Sequence, residues 1–215
     1  MIDHLRYTLL GDGSSDQALL PVLTWLLRQN RVARVIEPLW ADLRRARRRP
    51  KTLRDRLQLA LYWYPCDVLF IHRDAENQDY RQRISEIETA VDGIRDDQNV
   101  PPFICVVPVR MQEAWLLFNE IAIRKAAGNP SGRSVLTIPP VNTLEGVPDP
   151  KRVLHDALRT ACELQGRRLK QFKPDVAAQR LASEYIDDFS PLYHLPAFSR
   201  LRNDVAKIAA LNTPQ

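Results

Sequence analysis

The chain has 215 residues, 45% of them hydrophobic and 27% charged, which suits one globular domain with its own core, or one domain with a helical extension. No apolar run is long enough to cross a bilayer, and the N-terminal MIDHLRYTLLGDG has no basic region leading into an apolar stretch, so we expect a cytoplasmic protein with no membrane association. Lys plus Arg is 31 against 26 for Asp plus Glu, a net +5 that permits a polyanionic partner.

In chain order, Leu5 to Leu10 is an apolar run ending at Gly11 and predicts a buried strand. Ala18 to Leu27 has helical spacing, Ala33 to Trp40 reads as a second strand, and Thr52 to Trp63 as a helix. Asp67 to His72 holds the apolar run of a third strand, Tyr80 to Ile94 is an amphipathic helix, and Phe103 to Val109 is a fourth strand. Glu113 to Ala127 predicts a helix that stops at Gly128. Strand and helix in alternation predict an α/β domain with a central, mainly parallel four-stranded sheet flanked by helices, over residues 1–128. The stretch from Asn129 to Pro150 is rich in Pro, Gly, Ser and Thr and reads as a surface loop or linker. Helices starting at Pro150, Pro174 and Pro196 follow, each with proline where a first turn tolerates it. Residues 129–215 thus read as a loop and a helical C-terminal extension packed on the α/β domain. The three cysteines, Cys66, Cys105 and Cys162, are scattered and suggest neither a disulfide framework nor a zinc-thiolate site.

Ligands of an open parallel sheet bind beyond the carboxyl ends of its strands. The first strand delivers Asp12-Gly13-Ser14-Ser15-Asp16 there, the third His72-Arg73-Asp74-Ala75-Glu76, and the fourth Arg110-Met111-Gln112-Glu113. Carboxylates crowded at one edge repel unless a cation is bound or one is protonated. Hard oxygen donors without a His/Cys cluster point to Mg²⁺ or Mn²⁺. The candidate metal ligands are Asp12, Asp16, Asp74 and Glu76. A local role is the alternative for each: Asp16 as a helix cap, Glu113 as a first-turn acid favoured by the helix dipole. The second strand leads into a basic run, with Arg44, Arg45, Arg47, Arg48, Arg49 and Lys51 in one short stretch. That run is either a nucleic-acid backbone contact or a solvated charged face. No aromatic residues interleave it. The four tryptophans, Trp25, Trp40, Trp63 and Trp115, read as packing residues.

The acid–glycine pair ending the first strand, with Asp16 opening the next helix, resembles the first motif of the TOPRIM fold. Asp74-Ala75-Glu76 after an apolar strand resembles its second, the Asp-x-Asp motif. Two departures are conservative in charge: Asp12 stands where the fold usually has glutamate, and Glu76 where it usually has a second aspartate. TOPRIM domains serve topoisomerases, primases, recombination-repair proteins and the nucleases of the overcoming-lysogenisation-defect group. More narrowly, Glu113-Ala-Trp-Leu-Leu, the Ala-Ile-Arg-Lys-Ala-Ala-Gly-Asn-Pro segment, Asp149-Pro150-Lys151 and Phe189-Ser190-Pro191-Leu192 resemble a family of small bacterial TOPRIM-like proteins of unassigned function.

The resemblance implies a magnesium-dependent hydrolase of nucleic-acid phosphodiesters, DNA or RNA. Asp12 would take the general acid/base place, and Asp74 and Glu76 the metal-ligand places. Glu113 would complete the catalytic set, and Arg73 or Arg110 would contact phosphate. It also implies an ATPase partner protein and a role in phage defence or repair. The competing expectation is a non-catalytic interaction subunit of an ATPase-containing complex. A phosphotransferase using Asp12 as nucleophile ranks lowest, because Ser14 stands where such an enzyme needs its second aspartate.

Overall fold

The computed structural model describes residues 2–75 and 78–211. Four strands, β1 Ile2–Leu10, β2 Ala33–Trp40, β3 Val68–His72 and β4 Phe103–Val106, form one parallel sheet in the order β2-β1-β3-β4. Helices α1 Leu19–Gln29, α2 Leu53–Trp63 and α3 Tyr80–Asp92 connect them. The expected α/β class, with a parallel four-stranded sheet and a helical C-terminal region, is what the chain adopts. Tertiary contacts group the residues into two compact units. One runs to Val107 and takes in the chain again from Arg200; the other is Pro108–Ser199.

In the first unit, all five residues of β3 are buried, the mark of a strand covered on both faces. Alternate side chains go to opposite sides. Leu10, Leu69 and Ile71 share a core with Leu57 and Ala60 of α2 and Ile87 and Val91 of α3. Elsewhere Tyr7 and Phe70 meet edge-on at 5.2 Å. The Tyr7 hydroxyl donates to the Leu20 carbonyl at 2.8 Å and pairs with Thr24 Oγ1, tying α1 to β1. Burial pushes the Tyr7 phenol pKa up. Leu19, Val22, Leu23, Leu26 and Leu27 make the buried stripe of α1 at the spacing an amphipathic helix requires. β2 is an edge strand, so it tolerates Pro38, which lacks an N–H. Arg6 and Glu37 stand opposite one another across β1 and β2, with Nε to Oε2 at 2.9 Å. Thr52 and Asp55 form a reciprocal capping box that starts α2.

The second unit holds α4 Glu120–Ala126, α5 Pro150–Cys162, α6 Gly166–Gln171 and α7 Pro174–Arg180. The single helix expected over Glu113 to Ala127 is instead a 3-10 turn, Gln112–Leu116, followed by α4. Asn119 causes the break: its Oδ1 accepts the Ala122 amide at 3.0 Å and caps a new helix. The helix expected from Pro174 to Ile186 is α7 followed by one wider π turn, Leu181–Tyr185. Proline does open both α5 and α7. The loop after α4 is fastened by Glu163, which ends α5 in the left-handed region at φ 52°. Its Oε1 accepts the amides of Arg133 and Ser134 at 2.6 and 2.7 Å, and those bonds hold its carboxyl pKa down to about 2. The core includes Trp115 edge-on to Phe198 at 5.2 Å and Phe118 against Phe189. Helix α8, Pro196–Leu211, starts here and runs on into the first unit from Arg200.

Among the described residues no helix is long and apolar enough to cross a membrane. All three cysteines are free thiols, and Cys162 is buried. Burial pushes the Cys105 thiol up to about 12.

Candidate functional site

β1 connects to β2 on one side of it, while β3 lies on its other side and connects onward to β4. The crevice beyond the carboxyl ends of β1 and β3 is therefore the topological switch point, where α/β sheets take their ligands. Asp12 follows β1 there and Asp74 follows β3. Glu76 lies outside the described residues.

The loop after β1 is shaped by Asp16, which sits in the 3-10 turn Ser14–Ala18 and is only 5% exposed. Its Oδ2 accepts the amides of Asp12 and Gly13 at 2.7 and 3.0 Å, and its Oδ1 accepts from Ser15 Oγ at 3.2 Å. Gly11 makes this close approach possible. A Cβ on it would lie 2.5 Å from Asp16 Oδ2 and 2.9 Å from Trp40 Cη2, distances no side chain tolerates.

Asp12 is the more open acid, with its side chain 44% exposed. Arg56 Nη1 lies 2.6 Å from its Oδ1 and Arg73 Nε 3.0 Å from its Oδ2. Arg56 also donates to the Gly11 carbonyl. Arg73 reaches on to Glu86 at 2.8 Å, Arg83 meets the same carboxylate at 2.9 Å, and Arg83 Nε donates to the Asp74 carbonyl oxygen at 3.1 Å. One alternating chain of charges thus links the ends of β1 and β3. Arg73 belongs to that chain, as a partner of Asp12.

His72, the last residue of β3, is almost wholly buried. Its Nδ1 lies 3.0 Å from the Val106 carbonyl oxygen, and its Nε2 3.4 Å from Asp74 Oδ1 and 3.8 Å from Asp16 Oδ2. The ring thus lies between the Val106 carbonyl and the two acids.

Glu113 and Arg110 belong to the second unit. Glu113 is buried in its 3-10 turn, with Lys151 Nζ 3.9 Å from its carboxylate. Within the basic run, Arg44 pairs with Asp42 through two nitrogens, at 2.8 and 2.7 Å. Hydrogen bonds from Arg44 hold the Asp42 carboxyl down to about 2. Arg45, Arg47, Arg48, Arg49 and Lys51 are exposed or nearly so. A cavity of about 300 Å³ lies beyond β1 and β2, lined in part by Asp12, Trp40, Arg44, Arg49, Pro50 and Arg56. From the sequence alone Trp40 reads as a packing residue. Its position as the last residue of β2 was the signal for a place at the site, by the same strand-end rule that selected Asp12 and Asp74.

The acids offered at the crevice are carboxylates with no thiol among them, a donor set for a hard cation. Asp16 already serves the loop amides and both Asp12 oxygens face guanidinium groups, which leaves Asp74 as the described acid of this edge to weigh as a ligand. Among the described residues no group of three or more His, Cys, Asp or Glu side chains is arranged to hold a metal. Magnesium commonly takes only one or two protein carboxylates and keeps its waters.

The chain matches no family model, no curated protein and no solved structure.

Proposed function

We propose that the protein is a TOPRIM-type phosphodiesterase acting on nucleic acid with Mg²⁺ or Mn²⁺. The observation that carries the proposal is the placement of Asp12 and Asp74 on adjacent strand ends at the switch point, with Arg56 and Arg73 on the Asp12 carboxylate. The TOPRIM likeness of the two motifs supports the same reading. Asp74, with Glu76 two residues on in the sequence, would hold the ion. Bound there, the ion would polarise a phosphoryl oxygen and lower the pKa of its water.

The chain's own residues supply the rest. Arg56 and Arg73 are guanidinium forks, suited to bind a phosphodiester and to stabilise charge as it develops. Asp16 holds the Asp12 amide and Arg83 the Asp74 carbonyl, which keeps both backbones in place. Asp12, whose side chain is 44% exposed, would take a proton from the attacking water as its oxygen bonds to phosphorus, and a solvent water would protonate the leaving oxygen as the phosphoester bond breaks. The basic run draws the polyanion in.

The test is cleavage of supercoiled plasmid and single-stranded RNA under Mg²⁺ and Mn²⁺, with wild type and Asp74→Asn side by side. We expect metal-dependent cleavage that falls by about a hundredfold or more in the variant, since even outer-shell changes at metal sites cost ~10–100-fold. A folded wild type that cleaves neither substrate with either metal would leave the interaction-subunit reading in its place.

A further inference from the structure

The edge of the first unit carries two depressions that share Arg49 and Pro50. The first is the Trp40 cavity, whose volume of about 300 Å³ is at the small end of ligand sites (~300–1,000 Å³) and suits one nucleotide-sized group. The second is a groove of about 790 Å³ lined in part by Arg48, Lys51 and Tyr62. Tyr62 is 77% exposed, an uncommon position for so large a ring.

Most of the acids in these walls are already engaged. Asp42 is held by Arg44, the Asp55 carboxylate accepts the Thr52 amide at 3.2 Å, and Asp97 is held by Arg54 at 3.0 Å. Asp12 is shared between Arg56 and Arg73. By contrast Arg47, Arg48, Arg49 and Lys51 make no ion pair with any described residue. The path from one depression to the other thus has an indole at one end, a phenol at the other and unneutralised cations between. The sequence hides this interleaving, because Trp40 and Tyr62 flank the arginine run from the end of a strand and from a helix.

We infer that the substrate is single-stranded nucleic acid, with one nucleotide seated in the Trp40 cavity and the strand continuing over Arg49 into the Tyr62 groove. Rings stack on the faces of unpaired bases and guanidinium groups follow the phosphates, the combination by which single strands are held without sequence preference. A duplex hides its base faces and would leave both rings without a partner. The inference names the substrate of the phosphodiesterase proposed above and rests on that reading for the chemistry, although the binding itself needs no metal.

The experiment measures binding of labelled oligo-dT and oligo-U of about twelve nucleotides, a length within the usual single-strand site range, and of a duplex of equal length. It uses the full chain in EDTA over a range of salt, with tryptophan fluorescence recorded. We expect both single strands to bind at least about tenfold more tightly than the duplex and to quench tryptophan emission. Log affinity should fall with log salt at a slope of about −2 to −3, from roughly three or four phosphate contacts at ~0.7 each. Tyr62→Ala and Trp40→Ala should each weaken binding about tenfold, the loss of one stacked base. Trp40 packs over Gly11, so melting curves accompany that variant. Tyr62→Ala and Arg49→Glu change exposed side chains and carry the test if Trp40→Ala does not fold. A duplex bound as tightly as the strands would overturn the inference. So would unchanged affinity in Tyr62→Ala and Arg49→Glu, or a mononucleotide bound as tightly as the oligomers. Tight strand binding without metal-dependent cleavage would uphold this inference while removing the phosphodiesterase reading.

Discussion

Gly11 is the point through which the site is assembled. Asp16 and Trp40 both approach its Cα face, so the loop and the cavity wall depend on the same missing side chain. Gly11→Ala should cost about 1–3 kcal/mol, the usual range for overpacking, read as a lower denaturation midpoint, and should also weaken whatever binds beside Trp40. A fully stable variant would show that the loop relaxes freely. Cys105 gives a second residue-scale prediction. Its thiol, raised to about 12 mainly by burial, stays protonated at neutral pH and should react with a thiol reagent far more slowly in the native chain than after denaturation. Equal rates would place the thiol in solvent. At this scale the sequence revealed only part of the site. That Asp12 and Asp74 follow strand ends was legible from the apolar runs before them. The partners of Asp12 were not, because Arg56 lies 44 residues away and Arg73 on another strand end. Nothing local marks such a pairing.

At the scale of elements, β3 reads directly from the chain because two-sided burial leaves a continuous apolar run, Val68 to Ile71. The break at Leu117–Asn119 does not, because apolar spacing carries on through it while the Asn119 side chain turns back to cap. Asn119→Ala should therefore cost about 1 kcal/mol, with increased amide exchange confined to the first turn of α4. Loss spread evenly over the unit would contradict a capping role. The loop held by Glu163 makes a pH prediction. Its folded pKa lies below the ordinary carboxyl value, at about 2, so its contribution is present above pH ~4.5 and lost as pH falls through about 2. The Arg133 and Ser134 amides should be protected from exchange at pH 5 and become labile in acid, and Glu163→Gln should reduce that protection at pH 5. Protection independent of pH in the wild type would rule Glu163 out as the fastener.

For the whole molecule, composition marked a turn-rich stretch after Gly128, but membership in a compact unit depends on tertiary contacts that composition does not carry. The first unit is discontinuous in sequence, closed by residues from Arg200 on. Leu201, Val205 and Ile208 are all buried, and the Arg200 guanidinium lies over the Tyr80 ring at 3.6 Å. Removing the chain beyond residue 199 should therefore destabilise the α/β unit by several kcal/mol, at ~1.5–3 kcal/mol for each buried aliphatic side chain. Hydrogen exchange in β3 and β4 would report it, and unchanged protection there would show that the sheet stands without the segment.

That discontinuity sets an order of events during synthesis. The last strand is complete at Val106, yet the segment that finishes its unit is made only after the whole of Pro108–Ser199, about ninety residues. At roughly 5–20 residues per second the nascent sheet waits about 5–18 s with the Tyr80 ring and its neighbours uncovered. A chaperone that binds apolar surface has its opportunity in that interval, and a ribosome stalled before codon 200 would release a sheet that other chains can meet.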